Sequence, residues 1–166
     1  MFQLDKQDVK LAHVNPRKEF AGDDTRLASD MKFEMEVPNT FLDMFDTNLR
    51  ELIYCAPPAD EQDLVDQVTD ESELALTHLR FNEFKKIDWG YKGAGYRLVM
   101  NHQCSDEELI ILLDITLDKF SFTFKNGGSV LITFKAIGHP TEEETGKLCA
   151  MMQTSVDLTL QPPGTF

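Results

Sequence analysis

The sequence predicts a mainly β protein, either an antiparallel β-sandwich or a strongly curved sheet, with two short helical insertions. Three observations carry that expectation. Met31, Phe33, Met35 and Val37 alternate with Lys32, Glu34 and Glu36, the period-two pattern of a half-buried strand. Leu109 to Leu117 reads as one long apolar strand. Phe120, Phe122 and Phe124 then alternate with polar residues, and Val130, Ile132, Phe134 and Ala136 resume the alternation beyond Asn126-Gly127-Gly128.

Taken in order, Phe2/Leu4 and Val9/Leu11 are strand material, and Asn15-Pro16 is expected to break it. Gly22-Asp23-Asp24 is a polar loop. After Pro38, Asn39 and Thr40 cap a short helix with Phe41, Leu42, Met44 and Phe45, and Thr47 opens a further turn with Leu49, Leu52 and Ile53. Leu74 to Phe81 is strand-like. Ile87 to Tyr91 and Tyr96 to Met100 read as two strands of a hairpin joined by Lys92-Gly93-Ala94-Gly95. In the long strand, Leu109, Ile111, Leu113, Ile115 and Leu117 share one face. The other face grades from Ile110 and Leu112 to Asp114, Thr116 and Asp118.

The phenylalanine hairpin allows a register argument. A two-residue turn would set Phe124 against Ser129, on mismatched faces. A three-residue turn sets Phe124 against Val130 and Phe120 against Phe134, with Gly128 in the left-handed position. Thr141 and Glu144 form a capping-box pair that opens a helix to about Met151. Val156, Leu158 and Leu160 then form one face of a last strand, and Pro162-Pro163-Gly164 ends it.

Composition narrows the function. Hydrophobic residues are 42% and charged residues 27% of the 166, enough for one domain spanning residues 1–166 with a real core. The 12 phenylalanines against 3 tyrosines imply a dry core or an apolar contact surface. A net charge of −13 disfavours general binding to nucleic acid or anionic membranes, suits a partner with a basic surface, and leaves room for a local basic groove. No apolar run approaches the ~20 residues that cross a bilayer. Cys55, Cys104 and Cys149 form no close pair, and the first residues lack the pattern of a signal peptide, so a cytoplasmic location is expected.

The candidate sites are few. Residues 56–73 form an acidic excursion in which Asp60, Glu61, Asp63, Asp66, Asp70, Glu71 and Glu73 occur without a lysine or arginine. Such a block is either a solvated loop or a ligand for a basic groove, mimicking a phosphate backbone. It lacks the spacing of a calcium loop. Trp89, Tyr91 and Tyr96, beside Lys92 and Arg97, are a candidate aromatic contact patch for protein or single-stranded bases. His102, Cys104 and Asp106 offer metal-ligand atoms without the second pair that a structural zinc site needs. No nucleophile elbow, H-E-x-x-H or phosphate loop is present, so no cofactor and no catalytic residue is assigned. Asp114 and Asp118 read as the polar side of a strand.

Several short segments carry a resemblance. Val14-Asn15-Pro16-Arg17, Leu79-Arg80-Phe81, Gly93-Ala94-Gly95-Tyr96, Asp118-Lys119-Phe120 with Gly127-Gly128, and Leu158 to Pro163 together resemble a family of small acidic phage and prophage proteins. The resemblance implies a viral origin, action in the host cytoplasm, and a place among genes for DNA recombination or replication. The resulting expectation is a non-enzymatic accessory protein acting by protein–protein contact. The alternatives are a counter-defence inhibitor of a host nuclease and a single-stranded DNA-binding protein.

Overall fold

The computed structural model describes residues 1–58, 76–102 and 109–166. Two compact units are distinguished: residues 1–35, 88–121 and 132–166 in the first, and 36–87 with 122–131 in the second. The described strands are β1 (Leu4–Ala21), β2 (Asp24–Pro38), β3 (Tyr54–Cys55), β4 (His78–Leu79), β5 (Lys86–Trp89), β6 (Gly93–His102), β7 (Leu109–Phe124), β8 (Ser129–Gly138) and β9 (Ser155–Gln161).

The mainly β expectation holds, and the sandwich is corrected. The first unit is built on a closed six-stranded antiparallel barrel in the order β7-β6-β9-β1-β2-β8, with β8 returning to β7 and β5 as an extra strand on β7. Strand length explains the closure. β1, β2 and β7 run for 18, 15 and 16 residues, long enough to change neighbours along their course. β1 pairs with β9 through Leu4–Lys10 and with β2 from Lys10 to Ala21. Pairing β8 with β7 joins two strands that would be edges of an open sheet.

β1 does not break at Pro16, which pairs with Ser29 inside the strand. Its pairing with β9 ends at Lys10, so beyond that point β1 has a ladder with β2 alone, and a missing N–H is tolerated there. The expected hairpin between β5 and β6 is also corrected. Both strands pair with β7, and Gly95, at φ +75, lies inside β6 where the register with β7 slips by one residue.

The single face expected for Leu109, Ile111, Leu113, Ile115 and Leu117 is split in β7. Ile110 and Leu112 point into the barrel, whereas Leu109, Ile111 and Leu113 point out. Asp114, at φ +55, is an extra residue between the pairs Leu98–Leu112 and Tyr96–Ile115, and it flips the parity so that Ile115 and Leu117 face inward. Lys119, at φ +53, flips it again and returns Phe120, Phe122 and Phe124 to the interior.

The register predicted for the phenylalanine hairpin is the observed one. The Lys125 N–H donates to the Ser129 carbonyl at 3.1 Å, the Ser121 and Thr133 hydroxyls are hydrogen-bonded, and Gly128 has φ +89. Inside the barrel Phe120 stacks on Phe134 with centroids 5.3 Å apart, and Phe2 meets both rings edge-on. The buried Tyr96 hydroxyl donates to the Phe2 carbonyl at 2.9 Å and lies 2.7 Å from the Tyr91 hydroxyl, whose ring stands edge-on to Phe120. Burial, first of all, pushes the Tyr96 phenol well above its ordinary range.

Helix α2 (Glu142–Ala150) opens with the predicted capping box. Thr141 Oγ1 accepts from the Glu144 N–H, and the Glu144 carboxylate accepts from the Thr141 N–H. β9 then buries Val156, Leu158 and Leu160 completely, as its alternation predicts.

The second unit contains a 3-10 helix (Asn39–Met44), helix α1 (Leu49–Ile53) and the β3–β4 ribbon. Asn39 is no cap. Its N–H donates to the Gly128 carbonyl and its Nδ2 to the Leu76 carbonyl, at 2.8 and 2.6 Å. The strand expected from Leu74 to Phe81 is limited among the described residues to His78–Leu79. The buried Tyr54 hydroxyl accepts from the Lys125 N–H at 3.1 Å and lies 3.0 Å from the carbonyls of Lys125 and Ser129. These bonds fix the turn after β7 from within the unit.

Two glycine substitutions test this packing with opposite signs. A Cβ on Gly93 would lie 2.5 Å from Tyr96 Cε2, on a ring anchored through its hydroxyl. Gly93→Ala is expected to cost about 1–3 kcal/mol in urea denaturation. Gly146, inside α2, has open space at its Cβ, and Gly146→Ala is expected to stabilise by up to about 1 kcal/mol.

Candidate binding surface

The outward face of β7 carries three exposed aliphatic side chains in one column. Leu109, Ile111 and Leu113 are 54%, 42% and 61% exposed. Cross-strand pairing places Asn101 beside Leu109 and Val99 beside Ile111 on β6. The next strand continues the grid, with Asp157, Thr159 and Gln161 of β9 opposite Asn101, Val99 and Arg97. The wall therefore has an aliphatic column with Val99 at its flank and a polar margin, in which Arg97 donates to Gln161 Oε1 at 3.1 Å. Exposed Asp114 stands at the end of the column.

A second surface lies on β1, β2, β7 and β8. A cleft of about 280 Å³ is lined by His13, Asp30, Lys32, Lys119, Lys135 and Thr133, among others. Strand pairing brings His13 beside Lys32 and Asn15 beside Asp30. Asp30 is neutralised twice, by Arg17 at 3.1 Å and Lys135 at 3.2 Å. Lys32 lies 3.7 Å from Glu34. No ion pair engages Lys119 among the described residues, and its left-handed backbone costs on the order of 1–2 kcal/mol. The result is a lysine-rich cleft on a chain of net charge −13.

The cleft borders a charge network. Glu19 holds Arg17, Arg26 at 3.4 Å and the His139 imidazole at 3.0 Å. The His139 hydrogen bond, then that of Arg17, keeps the Glu19 carboxyl below its ordinary value. Lys125, and then Ser129, do the same for Glu36.

The predicted site residues fare differently. Asp60, Glu61, Asp63, Asp66, Asp70, Glu71 and Glu73 lie outside the described residues, as do Cys104 and Asp106. The aromatic patch is not one exposed surface. Tyr96 is 1% exposed and belongs to the core, and Arg97 sits on the outer wall with Gln161. Tyr91 is half-buried, its ring against Phe120, and Lys92 is exposed. Trp89 lines a cleft of about 440 Å³ with Asp88, Gly90, Lys119 and Phe120. Among the described residues no three His, Cys, Asp or Glu side chains gather as a metal site, and no helix is long and apolar enough to cross a membrane.

The bulge at Lys119 and the outward aliphatic column were missed from sequence. The signal was present in the two broken alternations, Leu113-Asp114-Ile115 and Leu117-Asp118-Lys119-Phe120. Compared with protein-family models, curated proteins and solved structures, the chain matches none of them.

The Glu19 network predicts a defined acid response. A carboxyl whose value is lowered by folding adds stability above its unfolded value, and that stability is lost as pH falls through the folded one. Glu19→Gln should therefore be less stable than the native chain at neutral pH, and the gap should close below the ordinary glutamate value near 4.5. Urea midpoints measured from neutral to acid pH check this. A gap that persists unchanged in acid would exclude the ionic origin.

Proposed function

We propose that this chain is a non-catalytic binding protein that works by contact with another protein through the β7 outer wall. One observation carries the reading, the outward column of Leu109, Ile111 and Leu113. Contiguous exposed aliphatics with a polar margin are the composition of a contact surface. Regular alternation would put these residues on the face of Ile115 and Leu117, and the bulge at Asp114 turns them out. The partner that fits has an aliphatic centre and a basic margin, because the chain carries −13. The resemblance to small phage proteins supports an accessory role in phage DNA recombination or replication in the host cytoplasm.

Burying the exposed part of each aliphatic is worth roughly 1 kcal/mol, and placing a carboxylate there adds a desolvation cost. Ile111→Asp is thus expected to weaken partner capture on the order of tenfold or more. The check is capture from infected-cell lysate by native and Ile111→Asp proteins of matched circular dichroism, repeated across salt. Equal capture of the same partner by both would remove the β7 wall from the interface.

A further inference from the structure

Lys119 lines both clefts of the barrel wall. On one side it joins Lys32 and Lys135, with His13 beside them. On the other it joins Trp89 and Gly90. A strand in regular alternation would aim position 119 into the core after Leu117. The bulge instead holds it outward in a left-handed conformation, while Leu117 and Phe120 both stay buried. Its amine has no ion-pair partner among the described residues, and the carboxylate of the cleft, Asp30, is engaged by Arg17 and Lys135.

We propose that the two clefts meeting at Lys119 bind a nucleotide unit, with the phosphate at Lys119, Lys32 and Lys135 and the base against Trp89. The chemistry of each half selects this ligand. Lysine ammonium groups position a phosphate and carry no base preference, and a phosphate at Lys119 would draw Lys135 and Lys32 away from Asp30 and Glu34. An indole beside them supplies a stacking face, which a simple anion would not use. The two volumes, about 280 and 440 Å³, fall near or within the roughly 300–1,000 Å³ range of small-ligand sites. The nucleotide unit comes either free or as part of a single strand. The site uses none of the residues of the β7 aliphatic column, so either proposal can fail without the other.

The test exploits Trp89, the 1 tryptophan of the chain. Its fluorescence is titrated with thymidine monophosphate, with a short oligothymidylate and with inorganic phosphate. Quenching by either nucleotide ligand, weakened by Lys119→Gly and by Lys32→Gln, supports the proposal. Glycine accepts the left-handed backbone, so Lys119→Gly removes the amine and keeps the bulge. Tighter binding of the oligonucleotide assigns the site to single strands, and equal binding assigns it to free nucleotides. With one phosphate held by the lysines, oligonucleotide affinity should fall about 2- to 3-fold between about 50 and 200 mM salt. Trp89→Phe, followed by anisotropy of a labelled oligonucleotide, should weaken binding several-fold. No quenching by either nucleotide at millimolar concentration in low salt, quenching insensitive to both lysine variants, or an equal response to inorganic phosphate would overturn it.

Discussion

In β7, the sheet's need to curve and the side chains' need to alternate cannot both be met by a regular strand. Asp114 and Lys119 resolve the conflict, each adopting a left-handed backbone and each reversing the faces beyond it. Three inward sets result along one strand: Ile110 and Leu112, then Ile115 and Leu117, then Phe120, Phe122 and Phe124. Without the first reversal the aliphatic column would be interior. Without the second, either Lys119 or the phenylalanines would be misplaced. Bulges of this kind bend a strand as well as re-aim it, which is what a closing sheet requires.

The same residues connect the fold to the surfaces on which function is read. The inward phenylalanines hold the Phe2–Phe120–Phe134 cluster, capped by the Tyr91–Tyr96 hydroxyl pair. The outward residues form an apolar column on one stretch of wall and, on another, an amine between two clefts that is in no ion pair among the described residues. The strong negative charge of the chain makes the lysine cleft a local exception. A phosphate reaching it would feel a short-range attraction within a repulsive field, and salt screens both. The Arg17–Glu19–Asp30 network stiffens the strands under that cleft and leaves Lys119 outside its ion pairs.

Much of the β content was legible because period-two alternation is local chemistry. Met31 to Val37, the phenylalanine hairpin with its three-residue turn, the Thr141 capping box and the β9 alternation all follow from side chains within a few residues of one another. The β7 aliphatics were read as sharing one face because strict alternation was carried through a bulge. The β5–β6 hairpin was inferred from a glycine run that in fact lies within β6, beside β7. Tyr96 was placed on the surface because an aromatic next to glycines looks exposed. Its hydroxyl finds partners, the Phe2 carbonyl and Tyr91, that are visible only when distant segments meet.

The sequence by itself determined the strand-forming segments, the turn chemistry, the capped helix and the overall negative charge. Each depends on neighbours along the chain. Tertiary structure alone decided that the sheet closes into a barrel, that Pro16 sits within a strand, and that Asp114 and Lys119 reverse the faces of β7. Those outcomes depend on which strand lies alongside, because an extra residue is a bulge only in relation to a partner with one residue fewer. The lysines of the cleft come from β2, β7 and β8, and only pairing across strands brings them together.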